Sequence, residues 1–142
     1  MRRMMIVAAA GAFAVFMALA FTGLTQAQAK VLFDFENNDD VTRWEGSRLA
    51  DTSASGEHAT SGKGSMKVML KKAQFPGISC SKLPVNDWSG YGTLNLDVFA
   101  DDGVNLVVRI DDENSRNYAT RFNLDIRLNK GANTVSIPVA DI

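Results

Sequence analysis

What most limits the fold of this chain is a period of two. In Met66-Lys67-Val68-Met69-Leu70-Lys71 the apolar Met66, Val68 and Leu70 fall on one side, because successive side chains of an extended strand point to opposite faces. Val31-Leu32-Phe33-Asp34-Phe35-Glu36 likewise sets Val31, Phe33 and Phe35 against Asp34 and Glu36. From Thr93 to Ala100, Leu94, Leu96 and Val98 turn inward while Asn95, Asp97 and Phe99 turn outward. After Asp102-Gly103 the pattern repeats with Val104, Leu106, Val108 and Ile110. Asp-Gly favours a two-residue turn, so these runs are expected to pair as a hairpin. Residues 118–126 direct Tyr118, Phe122, Leu124 and Ile126 one way, and Val135, Ile137 and Val139 mark a last strand. The polar stretch 47–65 reads as a long loop, with a short strand near Trp44. No helical period competes. Short alternating strands between glycine-rich turns predict an all-β fold, an antiparallel β-sandwich.

The N-terminus has a different character. Arg2 and Arg3 precede an uncharged run over residues 6–24, which closes on Ala27-Gln28-Ala29. Basic start, apolar middle and small-residue end make a secretory signal peptide. It is expected to be a leader helix over 1–29, cleaved between Ala29 and Lys30, with a single domain over 30–142. Its alanine-rich run suits bacterial export, to the periplasm or outside the cell. Left uncleaved, the same run is long enough to anchor in a bilayer, and membrane contact is expected only in that case. The chain carries a net charge of −1, and loss of Arg2 and Arg3 makes the remainder more acidic. With no basic stripe, nucleic acid is not an expected partner. Cys80 is the one cysteine, so no intrachain disulfide can form and stability must come from a core. Its apolar setting after Pro76-Gly77-Ile78 predicts a small buried side chain.

The order of motifs resembles the galactose-binding-like jelly rolls. The likeness runs through Phe33-Asp34-Phe35-Glu36, Trp44, Thr60-Ser61-Gly62-Lys63-Gly64-Ser65-Met66-Lys67-Val68, and Asp87-Trp88-Ser89-Gly90-Tyr91 ahead of Leu94-Asn95-Leu96-Asp97-Val98. Val107-Val108-Arg109-Ile110-Asp111-Asp112 and Gly131-Ala132-Asn133-Thr134-Val135-Ser136-Ile137-Pro138 continue it. The resemblance implies a carbohydrate-binding module, alone or attached to a secreted glycoside hydrolase, with Trp88 and Tyr91 packed under a sheet. It also implies a structural calcium held by Glu36, the 60–65 loop and a C-terminal aspartate, for which Asp141 is the one available residue. Domains of this type continue past the strand ending at Pro138, so this one is expected to be incomplete at its C-terminus, with a catalytic domain as a missing partner.

Catalysis finds few parts. His58, the one histidine, lies in a Gly-Ser-Thr loop beside Glu57 and is expected to be solvated, so a non-enzymatic role is expected and no catalytic residue is assigned. Asp111-Asp112-Glu113-Asn114 lacks the spacing of a calcium-hand loop and reads as a solvated tip. Sugar binding asks instead for an aromatic ring and nearby charged or amide groups. The polar strand faces supply Asp97, Arg109, Asp111, Arg121 and Asn123, which would share one side of one sheet. Trp44 or Tyr118 would serve as the stacking ring, Tyr118 only if a bulge turns it outward. A polysaccharide or glycan is then the expected partner, with no cofactor beyond that calcium. Alternating polar residues also suit a solvated face whose charges pair among themselves. A structural or adhesive sandwich, and an ancillary domain of a longer glycoside hydrolase, therefore stand beside the glycan-binding expectation.

Overall fold

The computed structural model describes residues 2–8, 12–20, 29–46 and 49–142, and for 7, 8 and 12–20 the backbone alone. Its strands are β1 (Arg3–Ala8), β2 (Ala12–Ala20), β3 (Lys30–Phe33), β4 (Trp44–Gly46), β5 (Ala50–Ser55) and β6 (Ser65–Leu70). They continue as β7 (Gly77–Cys80), β8 (Thr93–Ala100), β9 (Val104–Asp111), β10 (Phe122–Leu128) and β11 (Gly131–Pro138), with one short helix, α1 (Asn38–Thr42). A five-stranded sheet runs β10-β9-β1-β7-β4 and a six-stranded sheet runs β11-β8-β2-β6-β5, with β3 paired to β2. All of these pairings are antiparallel.

The fold is all-β, with both sheets contributing to one apolar cluster. Leu94, Leu96, Val98 and Ala100 enter it from β8, and Val104, Leu106, Val108 and Ile110 from β9. Burying each of the larger of these is worth roughly 1.5–3 kcal/mol. The hairpin expected at Asp102-Gly103 is not formed. β8 and β9 lie in different sheets, because three residues reverse the chain while each strand keeps its apolar face toward the shared core. The connection is an arch, with pairing partners found elsewhere.

Local departures have identifiable causes. In β3, Val31 is 43% exposed while both Leu32 and Phe33 are buried. A register shift against β2 makes Ala18 face Val31 and Met17 face Phe33, so Leu32 is an extra residue in a bulge and turns inward. The expected 47–65 loop contains β5, a polar edge strand paired with β6 from Ala50↔Leu70 to Ser55↔Ser65. An edge with one buried residue, Ala50, does not need apolar alternation. α1 starts where the Asn37 side chain accepts from the Asp40 amide, with Asp39 and Asp40 in its first turn. The strand expected from Tyr118 starts at Phe122, and Tyr118–Thr120 form a 3-10 turn.

The segment expected to be a leader helix runs as two strands. An uncharged run with no polar side suits the middle of a sheet as well as an apolar medium, and β1 and β2 are both central. No helix among the described residues is long and apolar enough to cross a membrane. Of the expected cleavage junction, Ala29 and Lys30 are exposed, and residues 27 and 28 lie outside the described residues.

Cys80 is buried on β7, and burial pushes its thiol above the ordinary 9.0. The folded protein therefore resists ionisation there. Stability from this source is complete below the thiol's ordinary value and falls as pH rises past it. A thiol reagent should modify the native protein at least about 100-fold more slowly than the denatured one. In a melting series from neutral to alkaline pH, Cys80→Ala should flatten the alkaline decline; equal native and denatured modification rates would contradict this burial.

Candidate functional site

The outer face of the five-stranded sheet is built by register. Asn123 of β10 pairs with Arg109 of β9, Arg109 with Met5 of β1, Met5 with Ser79 of β7, and Ser79 with Glu45 of β4. Paired residues of antiparallel strands share a face, so one row, polar except at Met5, crosses all five strands. Asn105, Arg127 and Asp125 extend the face on β9 and β10, where Arg127 Nη1 donates to Asn105 Oδ1 at 3.1 Å.

The predicted site residues separate into groups. Arg109, Asp111 and Asn123 are together on this face. Arg109 Nε donates to Asp111 Oδ1 at 2.8 Å and Nη2 to Oδ2 at 2.5 Å, a two-toothed ion pair mostly withdrawn from solvent. Arg121 and Tyr118 sit in the turn before β10. Tyr118 is 71% exposed, with the Arg121 guanidinium 5.4 Å from its ring centre, and Arg121 Nε donates to the Asn117 carbonyl. The 3-10 turn, rather than a bulge, brings Tyr118 out. Asp97 is elsewhere: it lies on the outer side of β8 in the six-stranded sheet and accepts from Thr134 Oγ1 at 2.8 Å. Trp44 is corrected from a stacking ring to a core residue. It is 2% exposed and meets Phe33 edge-on at 5.4 Å, because its strand turns Glu45, not Trp44, outward.

A second ring that reaches solvent was missed in the sequence. Phe75 is 70% exposed at the rim of a cleft of about 420 Å³, whose wall includes Glu45, Gly77, Ser79, Arg3 and Met5. Arg3 Nη2 donates to Ser79 Oγ at 3.2 Å. The available signal was an aromatic residue in the polar turn Lys71-Lys72-Ala73-Gln74-Phe75-Pro76, where no strand alternation calls it inward. An exposed flat ring beside hydroxyl, carboxylate and guanidinium groups can stack on the apolar face of a pyranose and bond its hydroxyls.

Glu36 does meet the 60–65 loop, but as a clamped anion. Its Oε1 accepts from the amides of Lys63 at 2.7 Å and Gly64 at 2.6 Å. Gly62 has φ +67, and a Cβ there would overlap the Glu36 carboxylate, while one on Gly64 would overlap the Phe35 carbonyl. This loop offers amide hydrogens to the carboxylate, which hold a negative charge. Calcium needs oxygen donors, so these residues do not fit a calcium cage. No group of three or more potential metal-ligating side chains occurs among the described residues.

The remaining polar groups brace loops. His58, at φ +57, is exposed as expected, and one face of its ring stacks on Phe99 with ring centres 3.5 Å apart. Asp112 accepts from the Ser115 hydroxyl and the Asn114 amide, and these bonds, the hydroxyl's first, hold its carboxyl below the usual range. Asp87 is held low in the same way by the Ser89 hydroxyl and amide. No family model, curated protein or solved structure matches the chain.

Proposed function

We propose that this chain is an exported, non-catalytic polysaccharide-binding module of the galactose-binding-like jelly-roll type. Phe75 carries the proposal: a large ring 70% exposed at the rim of a cleft, continuous with a polar sheet face. The glycan lies across the outer face of the five-stranded sheet, with Phe75 as platform, and Glu45, Ser79, Asn123 and the Arg109–Asp111 pair as polar partners. Arg3 and Met5 lie on β1, which joins the half of the face carrying Phe75, Glu45 and Ser79 to the half carrying Arg109, Asp111 and Asn123, so the glycan-binding face is that of the uncut chain. The state of the carboxylates supports a binding rather than a catalytic role. Asp111 and Asp97 are tied to Arg109 and Thr134, and Asp87 and Asp112 brace their own turns.

A glycan array probed with the protein tests this. Retention on at least one plant or microbial polysaccharide is expected, with Arg109→Ala lowering it about tenfold. No retention on any glycan sinks the proposal and leaves the structural or adhesive sandwich.

A further inference from the structure

Four strands end the two sheets: β10 and β4 the five-stranded one, β11 and β5 the six-stranded one. Among the described residues, three of these edges leave no large inward side chain open. Trp44 on β4 and Val135 and Ile137 on β11 are buried, and β5 carries only alanines and polar residues. The edge at β10 is different. Its Phe122, Leu124 and Ile126 pair with Ile110, Val108 and Leu106 of β9 and share their inward face. Those three β9 residues are at most 2% exposed, whereas the three on β10 pack against the core and are only partly covered. The core is thus left open along β10. No strand among the described residues bonds its far side, and an unpaired edge of this kind recruits another strand.

The outward side chains of β10 select the strand that fits. Asp125 and Arg127 stand two residues apart, so they share one face and carry opposite charges there. The exposed Asp125 carboxylate has no ion-pair or hydrogen-bond partner among the described residues. Arg127 donates to Asn105 Oδ1 and meets no acidic group among them. When two copies pair antiparallel about a twofold axis through one residue, the residue before it faces the residue after it in the partner. An axis through Ile126 therefore sets each Asp125 against the partner's Arg127, and Leu124 against the partner's Leu128. An axis through Asp125 brings like charges together. One through Asn123 matches Asp125 only with Arg121, which precedes the strand and is already turned to the Asn117 carbonyl and the Tyr118 ring. An axis between two residues sets the apolar face of one copy against the polar face of the other. We propose that β10 is a dimerisation edge whose occupant is β10 of a second copy, antiparallel, with Ile126 on the twofold axis. The two five-stranded sheets then join into one, and each half-open apolar stripe is covered by its counterpart. This pairing does not rest on the glycan reading.

Sedimentation equilibrium of the full chain tests this, with Asp125→Arg and Arg127→Asp beside wild type. Wild type is expected to sediment at twice the mass of one chain at about 100 μM. Each single variant sets like charges on both sides of the axis and should associate at least about tenfold more weakly, with the circular dichroism spectrum of wild type retained. An equimolar mixture of the two variants should recover the dimer, because every arginine of one then faces an aspartate of the other. The proposal is overturned if wild type stays monomeric at that concentration, or if Asp125→Arg dimerises as tightly as wild type. It is overturned too if the two variants, both folded, stay monomeric when mixed. Arg127→Asp gives up the Asn105 bond, whereas Asp125 has no partner to lose, so Asp125→Arg decides the matter by itself should the other variant fail to fold.

Discussion

Trp88→Ala should lower stability by about 3–5 kcal/mol, the range for removing a buried tryptophan, and the melting temperature by roughly 10–20 °C. Trp88 is the largest fully buried side chain among the described residues. Its corner is fixed from both ends: the ring Nε1 donates to the Val85 carbonyl at 2.8 Å, and the Asp87 carboxylate accepts from the Ser89 amide and hydroxyl. The Tyr91 amide closes the turn on the Trp88 carbonyl. Truncation leaves a ring-sized hole and a carbonyl without its donor. Trp88→Phe separates these effects, since most of the volume stays while the Val85 bond is lost, and about 1–2 kcal/mol is expected. Denaturant unfolding of both variants checks this; a Trp88→Ala cost below that of Trp88→Phe would mean that the ring is not in the core.

Phe75→Ala should have the opposite profile, a large loss of glycan affinity with little loss of stability. A ring 70% exposed gives up little burial on truncation, so unfolding should change by no more than about 0.5 kcal/mol. Affinity should fall at least tenfold, ~1.4 kcal/mol, because stacking on the apolar face of a sugar needs a flat ring and alanine has none. Phe75→Trp should keep or strengthen retention. A stability loss matching the affinity loss would instead make Phe75 a packing residue.

How far the sequence revealed this fold depended on whether the information was local. Side-chain alternation is local, and it located the inward faces of β6, β8 and β9. Pairing is not: Asp102-Gly103 suits a hairpin, yet the core claims both apolar faces from opposite sheets. Leu32 turns inward only because β3 bulges against a strand distant in sequence. β5 was invisible because an edge strand held by backbone bonds to β6 needs almost no apolar residues. The same limit governed the site. Arg109, Asp111 and Asn123 could be read from alternation on adjacent strands, whereas Asp97 went to the other sheet with β8. The aromatic choice was legible only in part, since Tyr118 is exposed whereas Trp44 in a strand was drawn into the core and Phe75 in a turn was left outside. The N-terminal run shows the reverse problem, because an uncharged apolar segment meets the requirements of an exported leader and of a central strand alike.

The most direct test of glycan binding on the five-stranded sheet is a calorimetric titration of a polysaccharide retained on the array into three proteins: wild type, Phe75→Ala and Asp97→Ala. The two substitutions lie on different outer surfaces. Binding by wild type and Asp97→Ala with equal affinity, and its loss in Phe75→Ala, is the expected result. Unchanged binding by Phe75→Ala together with a loss in Asp97→Ala would put the site on the six-stranded sheet and contradict the assignment made from Phe75 and its cleft.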